Sequence, residues 1–133
     1  LHDALPILMF VGLPDAVDAV VPLMLVSHDF APEKGKYAMK PNRNFLPDVA
    51  AVMEREGKGK NDIVFVTCQS GGRTARAVNA LTEAGYGQVY ALFEGLEGDL
   101  NTETGLRDRN GWKNAGLPWS YRITEAQAWE PAE

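Results

Sequence analysis

The stretch Ile63-Val-Phe-Val-Thr-Cys68-Gln-Ser-Gly-Gly-Arg73-Thr74 decides the fold. Ile63–Thr67 is β-branched and aromatic, and apolar at nearly every position, the pattern of a strand buried on both faces as in a parallel sheet. Gln69–Arg73 is a short polar loop containing two glycines. Thr74–Ala84 carries Ala77, Val78, Leu81 and Ala84 at helical spacing, and Gly85 stops it. Val89–Phe93 (VYALF) reads as a second buried strand, followed by Gly95 and Gly98. Strand, loop, helix and strand make a βαβ unit, which implies a right-handed crossover and α/β topology.

The chemistry concentrates at the end of the first of these strands. Cys68 is the only cysteine. It closes Ile63–Thr67 and opens the loop Cys68-Gln69-Ser70-Gly71-Gly72-Arg73, with a helix expected from Thr74. In open α/β sheets ligands bind outside the carboxyl ends of the strands. Backbone N–H groups at a helix N-terminus point into that space and favour negative charge. Gly71 and Gly72 let several N–H groups face inward as an anion nest, and Arg73 adds a fixed positive charge. Such a site lowers a thiol pKa and makes the thiolate the resting form. A lone cysteine at a strand end is often only a small buried hydrophobe. The glycine-rich loop, the arginine and the helix start that follow this one instead point to a nucleophile.

This arrangement resembles the rhodanese-like family of sulfurtransferases. The match runs from Ile63 to Thr74, through Ala75-Arg-Ala-Val-Asn-Ala-Leu81 and Ala84-Gly85-Tyr86, to Val89-Tyr-Ala-Leu-Phe-Glu-Gly95. Gly111-Trp112-Lys113-Asn114-Ala115-Gly116-Leu117-Pro118-Trp119 is similar to the family's closing Trp–Gly–Leu–Pro segment. The resemblance implies one three-layer α/β/α domain over 1–133 with a mostly parallel central sheet, best supported over 42–121, with 122–133 a polar tail. It implies a sulfurtransferase in which Cys68 accepts a sulfane sulfur as a persulfide and hands it to a thiophilic acceptor. The amides of Gln69, Ser70, Gly71, Gly72 and Arg73 are then expected to hold the persulfide and the leaving group, with Thr74 opening the helix behind them. Arg73 is expected to close the loop and orient the donor. The implied partners are a small donor such as thiosulfate or a persulfide, a thiol or cyanide acceptor, and a sulfur-accepting protein. No cofactor is implied.

At its start the sequence departs from the family pattern. Leu1–Leu8 carries neither the family's Asp-x-Arg turn nor its Gly-His-Ile-Pro-Gly-Ala segment, to which Val11-Gly12-Leu13-Pro14-Asp15-Ala16 is only faintly similar. The first strand is therefore expected to be missing or altered.

Two other classes share parts of this pattern. Cysteine phosphatases and arsenate reductases also place a thiolate in an anion loop after a strand, but with five residues between Cys and Arg. Here four residues separate Cys68 from Arg73, a tighter ring that suits one outer sulfur atom better than a phosphoryl group with three equatorial oxygens. A non-catalytic binding or regulatory module on the same fold is the third reading, and the presence of Cys68 argues against it.

Composition narrows the field further. The 133 residues fit one domain, and 45% hydrophobic with 23% charged residues is an ordinary globular balance. A net charge of −5 argues against generic polyanion binding, so no nucleic-acid partner is expected. One cysteine and two histidines supply neither a disulfide framework nor a four-ligand zinc site. The apolar stretches Leu5–Leu13 and Ala19–Val26 are too short for a membrane span and are punctuated by prolines. No basic n-region precedes the first, so the expected address is the cytoplasm, although a chain beginning at Leu1 rather than Met leaves room for an upstream piece.

The remaining elements are read from local pattern. Leu1–Val21 is expected as short extended pieces and turns, Pro22–Ser27 as a short strand and Ala31–Met39 as an exposed loop or hairpin. Phe45, Val49, Val52 and Met53 form one stripe of a helix over Asn44–Glu56, capped by Asn42 or Asn44 and stopped by Gly57. Asp99–Asn110 is a polar loop whose sixth and twelfth positions, Thr104 and Asn110, do not fit a calcium loop. His28 reads as a partly exposed structural residue and Arg76 as part of a solvated helix face, with Trp112, Trp119 and Tyr121 as packing for the closing segment.

Overall fold

The computed structural model describes residues 12–69 and 71–130. In chain order these form β1 (Leu13–Pro14), β2 (Met24–Ala31), β3 (Lys36–Pro41), α1 (Phe45–Arg55), β4 (Ile63–Val66), α2 (Gly72–Glu83), β5 (Gln88–Ala91) and β6 (Trp119–Ser120), with single 3-10 turns at Pro32–Lys34 and Glu125–Gln127. The expected irregular pieces of Leu1–Val11 and the departure at Leu1–Leu8 lie outside the described residues, as does Ser70.

The βαβ unit forms as its sequence demands. β4 and β5 pair in parallel with Val64 opposite Val89 and Phe65 opposite Tyr90, and α2 makes the crossover between them. Beyond that pair the described residues do not form a single sheet. Among the described residues the strands form three two-stranded sheets, β1–β6, β2–β3 and β4–β5, rather than one mostly parallel central sheet. The expectation that Ile63–Thr67 is buried on both faces also fails. Side chains alternate across a strand, and Val64 and Val66 pack inward while Ile63 and Phe65 are 56% and 66% exposed. Tyr90 on β5 is likewise half exposed and lies 5.7 Å from the Phe65 ring.

The core lies on the inward face of this pair. Phe45 and Val49 of α1 meet Ala77 and Leu81 of α2 and Tyr86 after it, with Val64, Val66, Val89 and Met53 packed around them. Burying several such side chains contributes about 1.5–3 kcal/mol each relative to exposure, which makes the cluster the main hold on both helices. The α1 stripe is the one its spacing predicts. Its start is held by Asn42 rather than by Asn44: the Asn44 N–H donates to Asn42 Oδ1 at 3.1 Å, and Asn44 makes no side-chain cap.

Ala31–Met39 contains the turn of an antiparallel hairpin, and β2 runs further than Pro22–Ser27, as far as Ala31. The β-branched and aromatic residues of the strand find partners on Lys36–Pro41, which extends the pairing past the apolar run. The stretch from Thr124 does not behave as a polar tail. Trp129 is buried and its Nε1–H donates to Asp48 Oδ2 at 2.9 Å, while Gln127 Nε2 donates to the carbonyl of Val17 at 2.8 Å. One tryptophan in a polar segment is enough to dock it, because an indole buries a large apolar area and finds a partner for its one N–H.

Candidate functional site

Four chain segments converge where β4 ends. The carbonyl of Val66 accepts the N–H of Leu92 at 2.9 Å, which fixes the exit of β4 beside the exit of β5. Two residues on, the carbonyl of Cys68 accepts the N–H of Leu96 at 2.7 Å, and that of Gln69 accepts the N–H of Glu97 at 2.9 Å. The stretch after β5 therefore holds the start of the cysteine loop from one side, and α2 begins on the other. Gly95 makes the close approach feasible: a Cβ there would stand 2.5 Å from the Cys68 carbonyl oxygen, and its φ of 72° is in the left-handed region.

Gly71 turns the loop into α2. Its φ of 99° is unfavourable for residues with a Cβ, and a Cβ would collide with the carbonyl oxygen of Phe93. α2 consequently starts at Gly72 rather than Thr74, and its first turn faces the sulfur. The N–H of Gly71 donates to Cys68 Sγ at 3.1 Å, and the hydroxyl of Thr74 donates to the same atom at 3.0 Å. Thr74 is fully buried, so its hydroxyl is held in place.

These donors set the state of the thiol. Partial burial of Cys68 pushes its pKa up, but the Thr74 hydroxyl and the backbone N–H groups of Thr74, Gly71 and Arg73 together outweigh burial and hold it below the ordinary thiol value. A half-buried, hydrogen-bonded sulfur whose anionic form is favoured is chemically a nucleophile in a pocket of donors.

The other residues of the loop separate into two groups. Gly71, Arg73 and Thr74 stand at the sulfur through their main-chain N–H groups, Thr74 with its side chain as well. Gly72 is exposed at the first position of α2. The guanidinium of Arg73 is half-buried and makes no hydrogen bond or ion pair among the described residues. The side chain of Gln69 turns away to Glu97, with Nε2 donating to Oε2 at 2.6 Å. His28 is exposed, and Arg76 is exposed on a solvated helix face.

Glu97 escaped the sequence reading. Its carboxylate lies 3.4 Å from Lys113 Nζ and 3.9 Å from Arg107 Nε. Lys113 in turn sits 3.8 Å above the Trp119 ring, which stacks edge-on against Tyr121. The signal for Glu97 lay in its surroundings: the run Gly95-Leu96-Glu97-Gly98 follows a strand at the same sheet end as Cys68, where the chain must turn sharply against the loop.

The family model described as "Rhodanese-like domain" matches residues 14–101, which include β4, the Cys68 loop, α2 and β5 and stop short of the closing segment at Gly111–Trp119. An uncharacterized protein of Rickettsia conorii (strain ATCC VR-613 / Malish 7) is 36% identical over 59 residues, 44% of this chain and 42% of its own length. An uncharacterized protein of Rickettsia rickettsii shows the same identity and coverage. An uncharacterized protein of Rickettsia prowazekii (strain Madrid E) is 26% identical over 84 residues, 63% of this chain and 60% of its own. The matched stretch thus spans less than half the length of the first two relatives.

Proposed function

The chain belongs to the rhodanese-like domain family, and from that premise we propose that it is a sulfurtransferase that carries a sulfane sulfur on Cys68. The observation behind the reading is the sulfur itself: Cys68 Sγ takes hydrogen bonds from Gly71 N–H and Thr74 Oγ1 at the mouth of α2.

The reaction divides into two displacements. The Cys68 thiolate attacks the outer sulfur of thiosulfate, the S–S bond breaks, and its electron pair leaves with sulfite. Cys68 then holds a persulfide anion. A thiolate or cyanide attacks the outer sulfur, takes it as a persulfide or thiocyanate, and Cys68 departs as thiolate. Each step forms one bond to sulfur, breaks another and moves no proton, so no general acid is required. What the site must supply is stabilisation of negative charge on the persulfide and on the leaving anion, which N–H donors at a helix start provide. Gln69, Ser70, Gly71, Gly72, Arg73 and Thr74 constitute the proposed cradle, with Arg73 meeting the anionic end of the donor. A persulfide or a sulfur-accepting protein serves the same chemistry as donor or acceptor. A reduced compartment such as the cytoplasm suits a single reactive thiol, and no helix among the described residues is long and apolar enough to cross a membrane.

Intact-protein mass spectrometry after incubation with thiosulfate tests the proposal. One added sulfur, removed by cyanide and absent in Cys68→Ser, is the expected result. No mass gain with thiosulfate, an organic persulfide or a trisulfide would leave the fold as a non-catalytic module.

A further inference from the structure

Glu97 makes no contact with the sulfur, yet it grips the residue next to it twice. Its N–H donates to the Gln69 carbonyl at 2.9 Å, and its Oε2 accepts from Gln69 Nε2 at 2.6 Å. The preceding residue, Leu96, holds the carbonyl of Cys68 at 2.7 Å. In a trans peptide the carbonyl of one residue and the N–H of the next point in opposite directions. With the Cys68 carbonyl fixed toward Leu96, the N–H of Gln69 is aimed to the opposite side. The amide side chain of Gln69 is meanwhile kept out of the space beside the thiolate, where its carbonyl oxygen would be repelled.

The carboxylate is itself clamped. Lys113 Nζ stands at Oε1, 3.4 Å away, and Arg107 Nε at Oε2, 3.9 Å away. Arg107 also donates to the Gly98 carbonyl at 2.6 Å, and Asn114 Nδ2 lies 3.4 Å from the Glu97 carbonyl oxygen. Lys113 is held over Trp119 at 3.8 Å. Glu97 thus ties the closing segment to the first residue of the cysteine loop, and it does so with a neutral amide rather than a third cation.

We propose that Glu97 is a positioning residue of the Cys68 site: through Gln69 it holds the loop in the shape that turns its donors onto the sulfur. The inference rests on the sulfurtransferase reading of that site, but its test does not depend on turnover.

The sign of the effect separates positioning from simple charge. Removing a negative charge near a thiol should by itself ease thiolate formation and lower the pH midpoint of alkylation. Loss of positioning raises it. Glu97→Ala is expected to raise the midpoint for alkylation of Cys68 by iodoacetamide and to slow the reaction at neutral pH by about threefold or more, the scale of coupling between contacting residues. Glu97→Gln keeps an acceptor for Gln69 and should restore most of the rate. Gln69→Ala breaks the same link from the other side, so it should reproduce the Glu97→Ala midpoint and show no added effect in the double variant. Should Glu97→Ala not fold, Gln69→Ala against wild type reads the same link. A midpoint that falls or stays unchanged in Glu97→Ala, or in Gln69→Ala, overturns the proposal. If the wild-type protein takes up no sulfur, the sulfurtransferase reading fails while the alkylation midpoints still decide the role of Glu97.

Discussion

Thr74 Oγ1 donates to Cys68 Sγ at 3.0 Å, so the end of β4 and the first turn of α2 are joined through the cysteine sulfur. Two residues six positions apart in sequence thus meet at the sulfur. A hydroxyl donating to sulfur favours the charged form, and burial opposes it.

Thr74→Val isolates that bond. Valine keeps the volume at a fully buried position and removes only the donor. Burial then acts on the thiol with less opposition, so the pKa of Cys68 should rise. A hydrogen bond to a charged group is worth about 1.5 kcal/mol or more, which corresponds to about a tenfold shift of the thiol–thiolate equilibrium toward the thiol. Alkylation rate against pH gives the midpoint. An unchanged midpoint in a folded Thr74→Val protein would mean that the backbone donors suffice.

Gly71→Ala attacks the turn rather than the donor. Its φ of 99° disfavours any side chain, and the new Cβ would meet the Phe93 carbonyl oxygen. The strained conformation alone costs about 1–2 kcal/mol. The backbone must shift to relieve the collision, and the Gly71 N–H then leaves the sulfur. The expected outcome is a lower unfolding midpoint together with loss of most sulfur uptake. Gly72→Ala, with open space around its Cβ, is the matched control and should change stability little.

How much of this was legible in the sequence follows from what each signal encodes. The βαβ unit was readable because Ile63–Val66 and Val89–Ala91 carry strand composition on either side of a helical stripe. The cysteine site was readable because strand, thiol, paired glycines and arginine are contiguous. Exposure of Ile63 and Phe65 was not, because an apolar run announces two faces to be covered and says nothing about which residues are present to cover them. Glu97 and Trp129 were missed for a related reason. Their roles depend on Gln69 and Asp48, which lie 28 and 81 positions away, and no local periodicity reports such a contact.

Trp129→Ala tests whether the segment after Thr124 belongs to the folded unit. Trp129 is 9% exposed and its indole N–H reaches Asp48 on α1. Truncating a buried tryptophan costs about 3 kcal/mol or more. Chemical denaturation should show a loss of that order, with the alkylation midpoint of Cys68 unchanged because the residue packs on α1, away from the sulfur. A loss under about 0.5 kcal/mol, the usual range for surface substitutions, would return Thr124–Glu130 to the status of a tail.

Arg73→Ala distinguishes charge from hydrogen bonding at the site. The sequence suggests that the arginine lowers the thiol pKa by its fixed charge. In the structure the lowering comes from the Thr74 hydroxyl and from main-chain N–H groups, including that of Arg73, which alanine retains. The guanidinium makes no hydrogen bond or ion pair among the described residues, so its removal leaves no partner behind and should change stability by no more than about 0.5 kcal/mol. The alkylation midpoint with neutral iodoacetamide should therefore stay near that of the wild type. Anionic reagents should behave differently, since in the proposed function the guanidinium meets the anionic end of the donor and binds its oxygens in pairs. Iodoacetate alkylation should slow, and the KM for thiosulfate should rise about tenfold, the equivalent of one charge-assisted hydrogen bond. If iodoacetamide and iodoacetate lose rate equally and the midpoint rises, the arginine acts on the thiolate through its charge. The assignment of Arg73 to the donor's anionic end is then wrong.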